Sequence, residues 1–462
     1  MAAGLDSDFR KYLVEAIGQE NAAVAFSALE EPASVSVRLN PYKERPVFGA
    51  VSGPVPWSRY GVFLDARPVF TCDPFFHGGA YYVQDSSSMF VGHVFRTVLG
   101  TLPGVKDRPV RVLDLCAAPG GKTTDLAASL REVYGSGFVL VSNEVMRQRV
   151  SVLASNVAVW GDPCVVVTCD DPSRFSSMKG WFDVILADVP CSGEGMFRKD
   201  AQAREQWSAD TVAMCQARQR RILADVWPAL SEGGVLIYST CTFNRHENDD
   251  NVEWAASALG ADILEAGQAE DAEGVLRTRY GFCLAPGLVR GEGQFCAVLR
   301  KTGESGGDPV GKKCRSRFDP AGKQESEEIR GYFTEGMEIV SRDGFIKALP
   351  PSVAEVMPSL EGSLHVLASG CAVGQRKHGQ LVPDADLPLS ILYRKGSFRE
   401  ADMDQDTALS YLSGNPLTLK DAPCGYLEVS CRSLPLGFVK NLGSRCNNLY
   451  PRGRRIRMDY RK

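Results

Sequence analysis

Two short apolar runs end in residues able to do covalent chemistry. Phe182-Asp183-Val184-Ile185-Leu186-Ala187 leads into Asp188, and Val189-Pro190-Cys191 follows. Gly234-Val235-Leu236-Ile237-Tyr238 leads into Ser239-Thr240-Cys241. A thiolate is a nucleophile and a carboxyl group moves protons, so two thiols and one acid suit covalent catalysis with proton transfer. Each residue alone has an ordinary structural explanation. A buried cysteine packs as a small hydrophobe, and an aspartate after a strand serves as a turn or cap. The runs are short and continuous, as strands covered on both faces are. Ligands of an open parallel sheet bind beyond the carboxyl ends of its strands. Asp188, Cys191 and Cys241 therefore fall where a substrate would sit, at one edge of a sheet.

The elements around them alternate. Val110-Arg111-Val112-Leu113-Asp114-Leu115-Cys116 reads as a strand, Ala117-Ala118-Pro119-Gly120-Gly121-Lys122 as a tight loop, and Thr123 onward as a helix. Such a turn lets backbone N–H groups approach a ligand closely. Gly121-Lys122-Thr123 mimics the end of a phosphate-binding loop, but that motif needs glycine where Cys116 stands. The spacing of a dinucleotide fingerprint is also absent. The strand Phe138–Asn143 ends at Glu144, the acid that binds ribose hydroxyls in nucleoside-cofactor folds. A helix over 146–159, a strand Val165–Thr168 ending at Cys169-Asp170-Asp171, and an amphipathic helix over 211–230 complete the alternation. Strand–helix alternation predicts a doubly wound parallel sheet.

The flanks differ. Phe9, Tyr12, Leu13 and Ile17 recur at helical spacing, and Ser34–Asn40 alternates like a strand. His77-Gly78-Gly79 marks a turn, and the serines from Ser86 to Ser88 a helix start. Residues 301–328 are rich in Gly, Ser, Lys, Glu and Asp and read as a linker. Short strands are expected at Leu364–Leu367, Leu389–Tyr393, Gly425–Val429 and Gly437–Lys440, in a β-rich C-terminal region. The expected domains are an N-terminal extension over 1–100, the α/β domain over 101–300, the linker, a small domain over 329–395 and a β-rich domain over 396–462.

At 462 residues with 44% hydrophobic content, the chain supports two or three domains with sizeable cores. No apolar run reaches the roughly 18 residues of a membrane span, and the first residues do not read as a signal peptide. With no secretion signal, the 14 cysteines read as reduced thiols in a cytoplasm. No pair has zinc spacing, so no metal is expected. The net charge of -4 gives no global sign of nucleic acid. From Cys431 onward, however, Arg432, Lys440, Arg445, Arg452, Arg454, Arg455, Arg457, Arg461 and Lys462 face a single acid, Asp459. Such a tail suggests a polyanion contact, or else a solvated disordered end.

At these motifs the chain resembles the RNA cytosine-C5 methyltransferases, which use S-adenosylmethionine. Cys116-Ala117-Ala118-Pro119-Gly120-Gly121-Lys122-Thr123 is similar to the family's cofactor loop. Asp188 with Pro190-Cys191-Ser192-Gly193-Glu194-Gly195 resembles its Pro-Cys motif. Ser239-Thr240-Cys241-Thr242, with Glu247-Asn248 beyond, resembles its Thr-Cys motif. The match covers roughly residues 30–300. Leu434–Lys440, Gly443-Ser444-Arg445 and Tyr450-Pro451-Arg452 are similar to the PUA-like tail of the bacterial subgroup that methylates 16S rRNA at one decoding-centre cytosine. Val189 departs from the family's usual alanine without removing a functional group.

The resemblance implies an α/β, Rossmann-like methyltransferase domain with an N-terminal α+β extension and a C-terminal PUA-like region. It implies Cys241 as the nucleophile, Cys191 as the group that assists release, Asp188 as the acid at cytosine N3, and Lys122 beside the base or a thiol. The Cys116, Ala117, Ala118, Pro119, Gly120, Gly121 and Lys122 loop, Glu144, Asp170 and Asp188 would hold S-adenosylmethionine, with Asp171 an alternative to Asp170 at the adenine. The partner would be RNA, 16S rRNA or the small ribosomal subunit, met by a cytoplasmic monomer. Arg38 and the basic tail would hold phosphates. A DNA cytosine methyltransferase has no need of Cys241. A non-enzymatic RNA-binding protein has no need to keep both cysteines and Asp188. A tRNA substrate stays open.

Overall fold

The computed structural model describes residues 4–102, 108–264, 272–303, 314–419 and 422–459. Its centre is a large mixed sheet. Strands Leu230–Thr240, Phe182–Asp188, Val110–Asp114, Phe138–Asn143 and Val165–Thr168 lie side by side in that order, all parallel. Their apolar runs are buried on both faces because helices cover them. These include Gly121–Tyr134, Arg147–Trp160 and Ala209–Val226. The strand order reverses between Val110–Asp114 and Phe182–Asp188. At that switch point the carboxyl ends splay apart and leave a crevice. The expected doubly wound sheet is present, and the strand ends at Asp114 and Asp188 border the crevice.

Both edges of the parallel sheet are closed by antiparallel strands. Gln294–Lys301 pairs with Leu230–Thr240 on one side. On the other, Val366–Ser369 pairs with Val165–Thr168, with Val366 opposite Thr168. The helix Pro351–Ser363 buries Val353, Val356, Met357 and Leu360 in the same core. The region over 329–395 is therefore not a detached small domain, because part of it completes the methyltransferase sheet. The linker expectation also needs correcting. Residues 304–313 lie outside the described residues, but Asp319–Pro320 is a strand and Lys323–Arg330 a helix. The helix is polar except for Ile329, whose fully buried side chain anchors it. Composition alone does not register one anchoring residue. Leu389–Tyr393 is not a strand either. Leu387–Leu389 forms a 3-10 turn, and Tyr393 is buried with its hydroxyl donating to Glu428 at 2.6 Å.

The N-terminal extension has helices Ser7–Ile17 and Gln19–Ala28 and a small sheet around Val35–Leu39. Asp85, rather than the serines after it, caps the helix Ser86–Leu99 by accepting from Ser87 N–H. Arg38 was expected to contact phosphate, but it is fully buried. Its guanidinium donates to Gln84 Oε1 at 2.8 Å, to Gly121 O at 3.0 Å and to Thr124 Oγ1, and stacks over Trp160. The strand's alternation turns Arg38 inward, against the start of the Gly121–Tyr134 helix. It joins the extension to the glycine loop and is out of reach of RNA. Replacing Arg38 with Met is expected to cost about 3–5 kcal/mol, as breaking a buried charge network does. Affinity for RNA should stay unchanged. Chemical denaturation and filter binding on the same protein check the two halves of this expectation.

The C-terminal sheet orders Arg399–Met403, Gly425–Cys431, Leu434–Asn441 and Cys446–Asn448 around its own apolar core, with helix Gln405–Leu412 packed on it. Arg454 is not a free cation. It donates to Asp386 and, at 3.0 Å, to Ser155 Oγ, fastening the tail to the methyltransferase domain. Arg432, Arg445, Arg452 and Arg457 are exposed. Arg461 and Lys462 lie outside the described residues. No helix among the described residues is long and apolar enough to cross a membrane.

Candidate active site

Three segments converge on the crevice. Strand Phe182–Asp188 delivers Asp188 and then Cys191, strand Leu230–Thr240 delivers Cys241, and the helix Gly121–Tyr134 delivers Lys122 from its first turn. The two thiols lie 3.2 Å apart, Sγ to Sγ. Lys122 Nζ is 2.9 Å from Asp188 Oδ2. The other carboxylate oxygen of Asp188 accepts from Ser239 Oγ at 2.8 Å, and Ser239 Oγ accepts from Gln294 Nε2 at 2.6 Å. The acid is thus oriented from both sides. Close approach of the two loops requires glycine at 195, where a Cβ would stand 2.7 Å from Cys241 O.

Burial alone would lower the Lys122 ammonium, but Asp188, with Cys241 and Asp114 beyond it, holds it above its ordinary value. The Cys191 thiol is raised well above its ordinary value by its hydrogen bond to Cys241, by burial and by the Cys241 charge. The thiol at 191 is thus disfavoured as a thiolate while it lies against Cys241. Burial raises the Cys116 thiol as well.

The glycine loop is built to approach a ligand. Gly120 has φ of 110°, in the left-handed region, and caps the helix that begins at Gly121. The Ala118–Pro119 peptide is cis. Ala118 O accepts from Arg149 Nη2 at 2.7 Å, and Pro119 O from Tyr82 and Asn156. Not all of the loop's N–H groups are available. Ala117 N–H donates to Asn143 O and Gly120 N–H to Ala117 O, both at 2.8 Å, and Pro119 has none. Contact to a cofactor through N–H groups of residues 117–121 narrows to Ala118 and Gly121.

Beneath the loop, Asp114 accepts from Thr123 Oγ1 at 2.6 Å through one oxygen, while its other oxygen is buried without a protein partner. Burial pushes Asp114 up to about 7, against the Thr123 bond and with help from Asp188. Glu144, at the end of the next strand, accepts from Met146 N–H at 2.9 Å and lies 3.3 Å from Arg149 Nη1. An unpartnered acceptor under a glycine turn, with a carboxylate one strand away, fits the amino group and the ribose hydroxyls of S-adenosylmethionine.

Family models match most of this chain in three parts. Residues 5–86 match the N-terminal domain of 16S rRNA methyltransferase RsmF, 104–300 match 16S rRNA methyltransferase RsmB/F, and 398–456 match the methyltransferase RsmF PUA domain. The chain is 30% identical over 453 residues to ribosomal RNA small subunit methyltransferase F of Klebsiella pneumoniae (strain 342), covering 92% of this chain and 91% of the relative. The chain belongs to the 16S rRNA methyltransferase RsmB/F family. The corresponding protein of Cronobacter sakazakii (strain ATCC BAA-894) is 31% identical over 462 residues, with the same coverage. Among solved structures, a methyltransferase homologue from Pyrococcus horikoshii is 25% identical with a TM-score of 0.53, covering 64% of this chain and 96% of that one. NSun6 from the same organism, solved with the S-adenosylmethionine analogue SFG, is 19% identical. Its TM-score is 0.52, over 65% of this chain and 99% of that one, and it shares the fold. RsmB/F enzymes are S-adenosylmethionine-dependent methyltransferases.

Two sequence-derived residues have further protein partners within this RsmB/F domain. Asp170 is buried, and one of its oxygens accepts from His365 N–H at 2.7 Å, so it also anchors the closing strand. Asp171 caps a 3-10 turn by accepting from Ser173 N–H at 3.1 Å. Sequence reasoning passed over Glu194, Glu247, Gln219 and Asn244 as functional residues. All four are buried behind the cysteines. A signal was present for the two acids, because Glu194 follows Cys191 among Ser192, Gly193 and Gly195, and Glu247 follows Cys241 within the same short loop. Burial pushes Glu247 up to about 7, with Glu194 adding to the effect and the bonds from Ser192, Asn244 and Gln219 opposing it. Among the described residues no cluster of His, Cys, Asp and Glu is arranged to hold a metal.

Proposed function

We propose that this chain methylates C5 of one cytosine in 16S rRNA through a covalent bond between Cys241 and C6. The reading rests on one observation: two strand-end thiols 3.2 Å apart beside the Lys122–Asp188 pair, at the switch point of a methyltransferase sheet. The named relatives act on the small-subunit RNA, which supports that substrate.

Cytosine C5 is a poor nucleophile. When the Cys241 thiolate adds to C6, electron density moves through the ring, and N3 takes a proton as C5 becomes enamine-like. Asp188 already holds a hydrogen bond from Lys122, so the proton for N3 sits on a Lys122–Asp188 pair rather than on a lone carboxyl. S-adenosylmethionine supplies an electrophilic methyl group when bound. Asp114, Glu144, Asp170 and the Cys116–Lys122 loop hold it beside the crevice. After methylation the C5 proton leaves to a base, the N3 proton returns to the Lys122–Asp188 pair, the C6–S bond breaks and its electrons return to sulfur. Cys191, the protonated neighbour, assists this release by giving a proton to the departing thiolate. The target base leaves its stack to enter the crevice. The exposed Arg432, Arg445, Arg452 and Arg457 serve the phosphate backbone.

Incubation with 16S rRNA and a labelled methyl donor should place the label on C5 of one cytosine. Label on any other atom, or only on tRNA, would refute this assignment.

A further inference from the structure

Behind the two thiols lies a buried hydrogen-bond network, and its connections are crossed. Glu194 comes from the Cys191 loop. Its Oε2 accepts from the backbone N–H of Phe243 at 2.7 Å and of Asn244 at 3.1 Å, just after Cys241. Its Oε1 accepts from Trp207 Nε1 at 3.0 Å and Asn244 Nδ2 at 2.9 Å. Glu247 comes from the Cys241 loop. Its Oε2 accepts from the backbone N–H of Ser192, just after Cys191, at 3.0 Å, and from Gln219 Nε2 at 2.7 Å. Gln219 Nε2 also donates to Pro190 O at 3.0 Å, so the peptide units on both sides of Cys191 are held. Glu247 Oε1 accepts from Asn244 Nδ2 at 2.9 Å, which joins the two halves. Both glutamates are at most 1% exposed.

We propose that Glu194 and Glu247 form a reciprocal clamp in which the loop of each cysteine positions the other cysteine. Glu194 sets Cys241, and Glu247 sets Cys191. Neither is a catalytic residue. They act through the backbone, and their assignment to separate steps rests on the covalent reading above. The clamp explains why two carboxylates are kept in a fully buried place, where unpaired charge is costly. Each offers two oxygens to N–H donors alone. A lone pair of strand ends would leave the thiols free to drift apart, whereas the crossed bonds make one loop's position a condition of the other's.

The donor pattern makes glutamine an informative substitution. Both terminal atoms of each glutamate face donors, so an amide must point its NH2 at another N–H whichever way it turns. Glu247→Gln should loosen Cys191 more than Cys241. Methyl transfer in a first turnover persists, while the trapped protein–RNA adduct lives longer by on the order of tenfold to a hundredfold, the cost of a small misplacement. Glu194→Gln should loosen Cys241, and adduct formation and methyl transfer fall together by a similar factor. Cofactor affinity, measured by calorimetry, should hold in both. A merely structural role would instead lower both steps equally in both variants, along with cofactor affinity, and that result overturns the clamp. Alkylation of the free enzyme by iodoacetamide, mapped by mass spectrometry, gives a readout that needs no RNA. Glu247→Gln should change the rate at Cys191 more than at Cys241, and Glu194→Gln the reverse. If the wild type forms no adduct but the alkylation pattern is crossed, the covalent reading fails and the clamp stands. If the pattern is not crossed, the clamp fails.

Discussion

Replacing Cys241 by serine is expected to abolish both methyl transfer and covalent capture of RNA, while replacing Cys191 by serine should trap the enzyme on its substrate. The asymmetry follows from the surroundings of the two thiols. The Cys191 thiol is raised by its hydrogen bond to Cys241 and by burial. Lys122, raised by Asp188 and Cys241, places positive charge toward the other thiol. A serine hydroxyl at 241 has far too high a pKa to attack C6. A serine at 191 leaves attack and methylation intact and removes the thiol that meets the departing sulfur at 3.2 Å. Denaturing electrophoresis of each variant with 16S rRNA should show a slow band for Cys191→Ser and none for Cys241→Ser. The opposite pattern would exchange the roles, as in the DNA cytosine methyltransferases. Two variants indistinguishable from the wild type would favour a binding protein without this chemistry.

Asp188→Asn should lower the single-turnover rate of methyl transfer by about 10²–10⁴-fold, the usual worth of a positioned acid or base. Asparagine keeps the shape of the side chain and still reaches Ser239. It removes the negative charge 2.9 Å from Lys122. Burial would then act on the Lys122 ammonium with its main opposing influence gone, so its pKa falls. The proton shared between Lys122 and Asp188 is lost, and N3 has no matched donor. Rapid-quench measurement at saturating cofactor separates this loss from any change in cofactor affinity. A decrease smaller than tenfold would reduce Asp188 to a tether for Lys122 and Ser239.

Much of this site was legible because parallel strands announce themselves. The run ending at Asp188 is apolar throughout except for Asp183, which is buried against Arg108 at 2.6 Å. The same logic located Glu144 and Cys241, each at a carboxyl end of the same sheet. What local pattern could not convey was long-range pairing. Arg38 looks like a surface cation in an alternating strand, and only the fold brings Thr124 and Gly121 to it. Asp170 reads as a strand-end acid, yet its hydrogen bond to His365 depends on a strand far along the chain. Glu194 and Glu247 were visible as parts of motifs, but each holds the backbone of the opposite loop. Arg454 belonged to a basic tail by composition and to Asp386 by geometry.

The antiparallel strand Val366–Ser369 has a further consequence for the order in which the chain folds. As the polypeptide is synthesised, residues up to Lys301 can build the parallel strands and the crevice, but Val165–Thr168 remains an open edge until the ribosome has passed Ser369. An exposed edge of unpaired N–H and C=O groups invites pairing with other chains, and long-range strand pairing is slow to form. The enzyme therefore emerges with its chemistry nearly assembled and its sheet unprotected. The segment that seals the edge is drawn from beyond the methyltransferase region, next to the C-terminal module that Arg454 fastens down. Completion of the catalytic sheet thus waits on residues well beyond the methyltransferase strands, so a nascent fragment carries the cysteines before it carries a closed sheet.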